Sequence, residues 1–322
     1  MTPTRRDVLG AGASLTVAGG LSGCLDLVGL GSESIDADGY AIFFALHDWA
    51  EAVGGSEMSF ENPVGTGKLG HGWSPDADIT PDVAATGMFI YLDTPEFEWA
   101  QRLASNLERD HDDVVTVDLL EGLDQYLISP DHGGHDDGFH DPHVWLDPVI
   151  VQEMVDTLSA AFAEVDPDNA GTYEENARAY KERIQRIHEE FGTVVDEAEL
   201  DTAILAGHDS FTYVERRYGF ELQTPVGVSP NASASRDDIQ RLIDTVDENG
   251  IDTVLYDPFE ATTGEYPQLV DAVLEESDAE HAEPLTPVSG TTAEWKENGW
   301  GWVEQMRSVN IASVEAALDP ST

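Results

Sequence analysis

The segment NAGTYEENARAYKERIQRIHEEFGTVVDEA, residues 169–198, carries the clearest helix signal in the chain. Its apolar residues recur at alternating spacings of four and three: Tyr173, Ala177, Tyr180, Ile184, Ile187 and Phe191. Such a stripe, about five turns long with a polar opposite face, is what a helix lying across two lobes requires. An ordinary surface helix of one lobe would show the same pattern. His188 falls on the polar face, where we expect it to be solvated.

Short apolar runs alternate with amphipathic stretches on both sides of this helix. Before it, strands are predicted at YAIFFAL (40–46), MFIYLD (88–93) and VVTVDLL (114–120), with helices at 48–53 and 95–108. After it, strands are predicted at TAILAG (202–207) and TVLYDP (253–258), with helices at 210–218 and 236–248. The pattern predicts two Rossmann-like α/β lobes, 39–168 and 199–322, joined by the linking helix 169–198.

The composition is that of an acidic globular protein. The 322 residues are 41% hydrophobic, and 64 Asp and Glu face 15 Lys and Arg, for a formal charge of −49 spread along the whole chain. This charge excludes nucleic acid as a partner. Because the Debye length at 1 M salt is only about 3 Å, an acidic surface of this kind is tolerated in concentrated salt. We therefore expect an extremely halophilic, archaeal source.

The N-terminus, MTPTRRDVLGAGASLTVAGGLSGC, has the features of an export signal. Arg5 and Arg6 precede an apolar stretch that is too short and too glycine-rich to span a bilayer. TRRDVL resembles a twin-arginine motif, and LSGC resembles a lipobox that ends in Cys24, the only cysteine of the chain. We predict removal of residues 1–23, lipidation of Cys24, a tether over 24–38, and anchoring at the outer face of the cell membrane.

Three histidines lie where predicted strands or turns meet loops. His71 is in LGHGWSPD, His143 in DPHVWLDP and His208 in AGHDSF. Imidazole is the usual ligand of zinc and related ions, and three or four must converge to bind one. Tryptophan follows two residues after His71 and after His143, which predicts an aromatic wall beside each imidazole. Taken singly, each histidine is more readily interpreted as a structural residue, so the spacing alone does not establish a metal site.

A further cluster of histidines precedes His143 in DHGGHDDGFHD, residues 131–141. His132, His135 and His140 lie among Asp, Gly and Phe, a composition that cannot build a core and predicts a mobile loop. Its role would be weak capture of ions or sensing of their supply, and the alternative is a solvated acidic loop. His47, His111 and His281 are interpreted as structural or exposed, and Asn231 begins an exposed glycosylation sequon.

The chain resembles the solute-binding proteins of zinc and manganese ABC importers from about residue 40 to 318. The resemblance rests on segments in the family's order: FALHDWAEAVGG (44–55), GHGWSPD (70–76), HVWLDP (143–148), GHDSFTYVERRYGF (207–220), SPNASASRDDIQRLIDTVDENGIDTVLYDP (229–258) and SGTTAEW (289–295). It implies two α/β lobes joined by one rigid helix, with metal in the cleft. The family's ligand positions fall on His71, His143 and His208.

The chain departs from the family at a fourth ligand. The family commonly has a carboxylate in an L-D-P-L segment, whereas this chain has Leu285-Thr286-Pro287-Val288. The alternatives are water, Asp257, Glu260 or a loop histidine, and Asp257 could instead be an acceptor behind a ligand imidazole. Three histidines with a weak or absent carboxylate favour Zn²⁺ over Mn²⁺, because manganese prefers oxygen ligands.

The resemblance implies a monomeric binding protein that captures Zn²⁺ outside the cell and delivers it to an ABC permease and its ATPase subunit. Manganese is the alternative cargo. Two other classes of function remain at this stage. One is a zinc hydrolase with Asp209 or Asp257 as general base, although no H-E-x-x-H spacing occurs. The other is a surface adhesin with incidental metal.

Overall fold

The computed structural model describes residues 37–129, 140–228, 233–261 and 266–319. Several predicted features lie outside these ranges: the export signal with Arg5 and Arg6, Cys24, most of the tether, His132, His135 and Asn231. Within the described ranges, no helix combines the length and apolar character needed to cross a membrane.

The first lobe is built on a parallel sheet of four strands in the order β2-β1-β3-β4. Its strands are β1 (Gly39–Ala41), β2 (Phe60–Glu61), β3 (Met88–Tyr91) and β4 (Val115–Asp118). Parallel neighbours need crossover connections, and helices provide most of them. The helices of this lobe are α1 (Phe44–Gly54), α2 (Thr80–Val83), α3 (Glu98–Asp110) and α4 (Pro148–Val165).

The linking helix is α5 (Ala170–Glu197). Its fully buried residues are the six apolar residues of the predicted stripe. In the first half, the Tyr173 ring packs on Phe162 of α4, and the Tyr180 hydroxyl donates a 2.7 Å hydrogen bond to Asp48 of α1. In the second half, Phe191 stacks on Tyr218 of the second lobe with ring centroids 4.7 Å apart. The helix therefore lies across both lobes, as the stripe predicts.

The second lobe repeats the strand order of the first, as β6-β5-β7-β8. Its strands are β5 (Thr202–Leu205), β6 (Glu221–Gln223), β7 (Thr253–Tyr256) and β8 (His281–Pro284). Its helices are α6 (Thr212–Tyr218), α7 (Arg236–Asn249), α8 (Gln268–Glu276), α9 (Ala293–Glu297), α10 (Trp302–Gln305) and α11 (Ala312–Leu318). A π-helical segment, Met306–Ile311, joins the last two. The expected fold class of two parallel-sheet α/β lobes with one long helix is confirmed.

Two local predictions are wrong. The run YAIFFAL is not one strand, because β1 ends at Ala41 and α1 begins at Phe44. When every residue of a run is apolar and buried, the run shows neither the strand period nor the helix period. In α1 the helical spacing of buried residues becomes visible only beyond this run. His188 is not simply solvated: it is half-buried, and its Nδ1 lies 3.1 Å from the Tyr218 hydroxyl.

Contacts other than α5 also join the lobes. The Asp147 carboxylate caps α4 by accepting from the Val149 amide, and Pro148 takes the first helical position. The same carboxylate binds Arg217 of α6 through two guanidinium nitrogens, at 2.6 and 3.0 Å. Asp147 in the HVWLDP segment thus caps the start of α4 and also forms one half of an ion pair between the lobes.

The chain after β8 returns to the first lobe. Leu69 and Gly290 form an isolated bridge, and the Trp302 amide donates a 2.9 Å hydrogen bond to Asp48. The Trp302 ring also packs edge-on against Trp49 of α1. This part of the predicted second lobe therefore contacts the first lobe directly.

Candidate metal centre

His71, His143 and His208 meet between the lobes although they are 72 and 65 residues apart in sequence. One ligand atom from each lies within 4.8 Å of the others, and the three residues are 4%, 0% and 4% exposed. The ring centroids are 4.5 Å apart for His71 and His143, and 5.5 and 5.6 Å from those two rings to His208. The sequence-predicted histidines are thus brought together in one buried cluster.

His143 is oriented by its own loop. It begins a 3-10 turn, His143–Leu146, directly before the capped start of α4. Asp141 Oδ1 accepts the His143 amide at 2.9 Å and lies 2.8 Å from its Nδ1. A proton on Nδ1 leaves Nε2 as a free lone pair, and this atom is buried without a hydrogen-bond partner. Burial lowers the pKa of His143 to about 4, despite the opposing effect of Asp141, so the imidazole is neutral at pH 7.

His208 follows β5, at the carboxyl end of a parallel strand, where ligand sites of α/β sheets usually form. Its Nδ1 lies 3.4 Å from Glu260 Oε1, and its Nε2 is buried without a partner. Asp257 lies in a group with His208 and Glu260 that includes neither His71 nor His143. Glu260 thus takes the acceptor position beside His208 Nδ1. The role predicted for Asp257, as fourth ligand or as acceptor, stays a prediction.

Burial determines the electrostatics of Asp257. Its Oδ1 accepts the Phe259 amide at 2.9 Å, while Oδ2 is buried without a partner. Burial, with repulsion from Glu260, raises the pKa of Asp257 to about 7. A cation near His208 would favour the ionised form of this carboxyl group.

His71 is held by a close approach of two chain segments. Gly70 donates its amide to Ser289 O at 2.9 Å, and a Cβ at Gly70 would collide with the Phe43 side chain. Neither ring nitrogen of His71 makes a directed hydrogen bond, although Glu96 Oε1 lies 3.1 Å from Nε2. Glu96 was missed by the sequence reasoning, because nothing in its local sequence distinguishes it from other surface carboxylates.

One tryptophan supplies the aromatic wall for two histidines. The fully buried Trp145 ring lies 5.1 Å from His143 and 6.2 Å from His71. The prediction that Trp73 flanks His71 is wrong: Trp73 packs edge-on against Trp99 of α3. Gly72 between the two residues has a φ of 75°, and this left-handed turn sends the next side chain away from the imidazole.

Thr286, which stands at the family's usual carboxylate position, serves its own loop. Its hydroxyl accepts the Val288 amide at 3.1 Å, and Asn310 of the π-helical segment binds its backbone N–H and C=O at 2.8 and 2.9 Å. Of the three loop histidines, His140 lies within the residues that the structure describes. Among those residues it belongs to no group of side chains close enough together to bind one metal ion.

The donor set fits a divalent ion that prefers nitrogen. Buried polar atoms in proteins are normally hydrogen-bonded, so unpaired Nε2 atoms of three clustered histidines are unusual. Neutral imidazoles at this spacing can converge on one Zn²⁺ after a small inward movement, because Zn–N bonds are about 2.0–2.1 Å.

Comparison with known proteins agrees with this geometry. Residues 40–316 match the family model described as ZnuA, zinc-uptake complex component A, periplasmic. This chain belongs to the ZnuA family. The family is one of metal-binding transport components and not of enzymes, which excludes the zinc-hydrolase alternative.

Relatives in this family bind different metals. The high-affinity zinc uptake system protein ZnuA of Bacillus subtilis is 23% identical, covering 86% of each chain. The manganese-binding lipoprotein MntA of Halalkalibacterium halodurans is 27% identical, covering 67% of this chain and 70% of its own. The zinc-binding lipoprotein AdcA of Streptococcus pneumoniae is 26% identical over 86% of this chain, which spans 55% of AdcA.

The fold also matches. The Zn(II)-bound ZnuA-like domain of S. pneumoniae AdcA superposes with a TM-score of 0.71 at 23% identity, covering 88% of this chain and 99% of that domain. The relatives are bacterial, so the expected archaeal source has no support from them.

The raised pKa of Asp257 predicts a pH-dependent gain in stability for Asp257→Asn in the metal-free protein. The unfolded chain releases this proton near pH 4, whereas the folded chain holds it until about pH 7. Ionisation therefore destabilises the folded state increasingly over that range, by about 4 kcal/mol above pH 7. Thermal melting should show Asn stabilising at pH 8 and nearly neutral at pH 4. Glu275→Gln, an exposed carboxylate of the same lobe, is the control; an equal effect of the two variants would contradict the assignment.

Proposed function

We propose that this chain captures Zn²⁺ outside the cytoplasm and delivers it to the permease of an ABC importer. The observation that carries the proposal is the buried cluster of His71, His143 and His208, each with Nε2 free of hydrogen bonds. Neutral imidazoles suit zinc better than manganese. Mn²⁺ remains the alternative cargo, since a manganese-binding relative is similar to this chain.

The proposal assigns a separate role to each part of the site. The three imidazoles bind the ion, and Asp141 and Glu260 orient His143 and His208. Trp145 keeps water from the rings of His71 and His143. The sequence-based division at 39–168, 169–198 and 199–322 belongs to the same proposal. Docking on the permease would disturb the cleft and loosen the ion. No bond is made or broken.

We also propose that the mature chain is a monomer anchored by a lipid on Cys24 after twin-arginine export. The support is the sequence of the first 24 residues and the description of two relatives as lipoproteins. Cell fractionation of a Cys24→Ser variant tests the anchor, since release from the membrane fraction is expected.

The charge of −49 supports adaptation to concentrated salt, and a melting temperature that did not rise with KCl would contradict it.

Replacing any one of the three clustered histidines by alanine should abolish high-affinity binding of Zn²⁺. Two remaining imidazoles cannot form the three- or four-ligand shell that zinc requires. Competitive titration with a zinc-selective dye, followed by competition with Mn²⁺, measures the effect and the metal preference. His111→Ala, at the end of α3, is the control and should bind as the unaltered protein does. A wild-type preference for Mn²⁺ would overturn the choice of cargo and leave the fold unaffected.

The affinity for Zn²⁺ should fall steeply below about pH 6, because only neutral imidazole can ligate and histidine ordinarily titrates near pH 6.5. Protons compete with the metal, so lower pH weakens binding. Burial holds His143 neutral to about pH 4, and its own protonation adds to the loss only there. Titrations in concentrated salt from about pH 7.5 to about pH 5 measure this dependence. A flat affinity across that interval would exclude coordination by three histidines.

A further inference from the structure

We propose that Glu96 supplies the fourth ligand of the bound ion, in place of the carboxylate that Thr286 lacks. This inference rests on the proposed function, since it concerns the same ion. Glu96 lies in the first lobe, in a short turn after β3, whereas the family's usual carboxylate position is in the second lobe at residue 286.

The first argument is the distance between Glu96 and His71. Glu96 Oε1 lies 3.1 Å from His71 Nε2. Two ligand atoms bound at about 2.0–2.1 Å in a tetrahedral zinc site are separated by roughly 3.3 Å. The carboxylate oxygen is thus already at the spacing of an adjacent ligand.

The second argument is direction. At His143 the carboxylate of Asp141 accepts a hydrogen bond from Nδ1, which is how an orienting partner behaves. The contact between Glu96 and His71 is longer, at 3.1 Å, and it falls outside the geometry of a directed hydrogen bond. This geometry is expected if the lone pairs of His71 Nε2 and of the Glu96 carboxylate both point at the position of one bound ion, and not at each other.

The third argument is that Glu96 is firmly placed. The turn Pro95–Phe97 is fixed by the Phe97 ring, which stacks on Phe43 and lies beside Trp145. The carboxylate also lies near the backbone of Gly72, the residue next to His71. Its side chain is 21% exposed, so it lies between the buried imidazoles and solvent.

The other carboxylates near the cluster have different positions. Asp141 and Glu260 contact the Nδ1 atoms of His143 and His208, which face away from the free Nε2 atoms. Asp257 is grouped with His208 and Glu260. Neither Asp257 nor Glu96 belongs to the group of three imidazoles, so either carboxylate would have to move inward to join an ion bound there. Among the carboxylates of the described residues that contact a histidine of the cluster, Glu96 alone approaches an Nε2.

The variants Glu96→Gln and Glu96→Ala distinguish two roles of Glu96: a ligand of the ion, or a hydrogen-bond acceptor that only orients His71. Glutamine keeps an oxygen that can accept from His71 but is a poor zinc ligand, whereas alanine removes both abilities. Loss of an outer orienting partner typically weakens metal binding about 10–100-fold. We expect both variants to lose at least about 100-fold in Zn²⁺ affinity. Bound Co²⁺, whose visible spectrum depends on ligand number and geometry, should change its absorption in both.

Glu98→Gln is the matched control, since the Glu98 side chain is 72% exposed, pairs with Arg102, and lies two residues away. Melting of each metal-free variant verifies folding. Wild-type affinity in Glu96→Gln with loss only in Glu96→Ala would overturn the proposal and make Glu96 a positioning residue. Unchanged affinity and cobalt spectrum in both variants would also overturn it, with the proposed function intact. Failure of the unaltered protein to bind zinc would overturn the proposed function itself.

Discussion

The site depends on the burial of one side chain, Trp145, where both lobes and the imidazole cluster meet. Its indole N–H donates a 2.7 Å hydrogen bond to the Pro287 carbonyl of the second lobe, and its own carbonyl accepts from the Trp302 indole at 2.9 Å. Its ring packs against His143, His71 and Phe43. Because a buried N–H must be paired, the position of the Pro287 loop is fixed relative to the histidine turn.

The inter-lobe contacts make large opening motions unfavourable. Helix α5 buries its apolar stripe against both lobes, and the Asp147–Arg217 ion pair would leave a buried carboxylate poorly compensated if the lobes separated. The Tyr213 hydroxyl adds a further tie by donating to the Asp141 carbonyl, in the same residue that orients His143. These contacts join both lobes to the residue that orients His143.

Charge is distributed unevenly between the surface and the centre. The chain carries a net charge of −49, yet three of the candidate ligands are buried imidazoles. A negative surface attracts cations at a distance, and in concentrated salt that attraction is screened within about 3 Å. Selection among ions must then come from donor atoms and geometry at the cluster.

The sequence by itself determined what depends on local periodicity and on ordered motifs. The 4-3 spacing from Tyr173 to Phe191 predicts the buried face of α5 because helical geometry fixes which side chains share a face. The motifs around His71, His143 and His208 indicated the three residues that the structure brings together. Five of the eight strands in the part of the chain that the structure describes were predicted, since buried parallel strands form continuous apolar runs. The strands β2, β6 and β8, the helix α4 and the helical start at Phe44 were not predicted.

Only the tertiary structure decided what depends on how distant segments approach. Glu96 has no local signal, and its relevance arises because the turn after β3 packs beside His71. Glu260 takes the position beside His208 Nδ1, which depends on how its loop approaches the ring. Trp73 turns away from the cluster at Gly72. Periodicity and spacing describe residues that are close in the sequence. The ligand atoms of a metal site come from distant segments, and only the packing of the two lobes fixes where these atoms point.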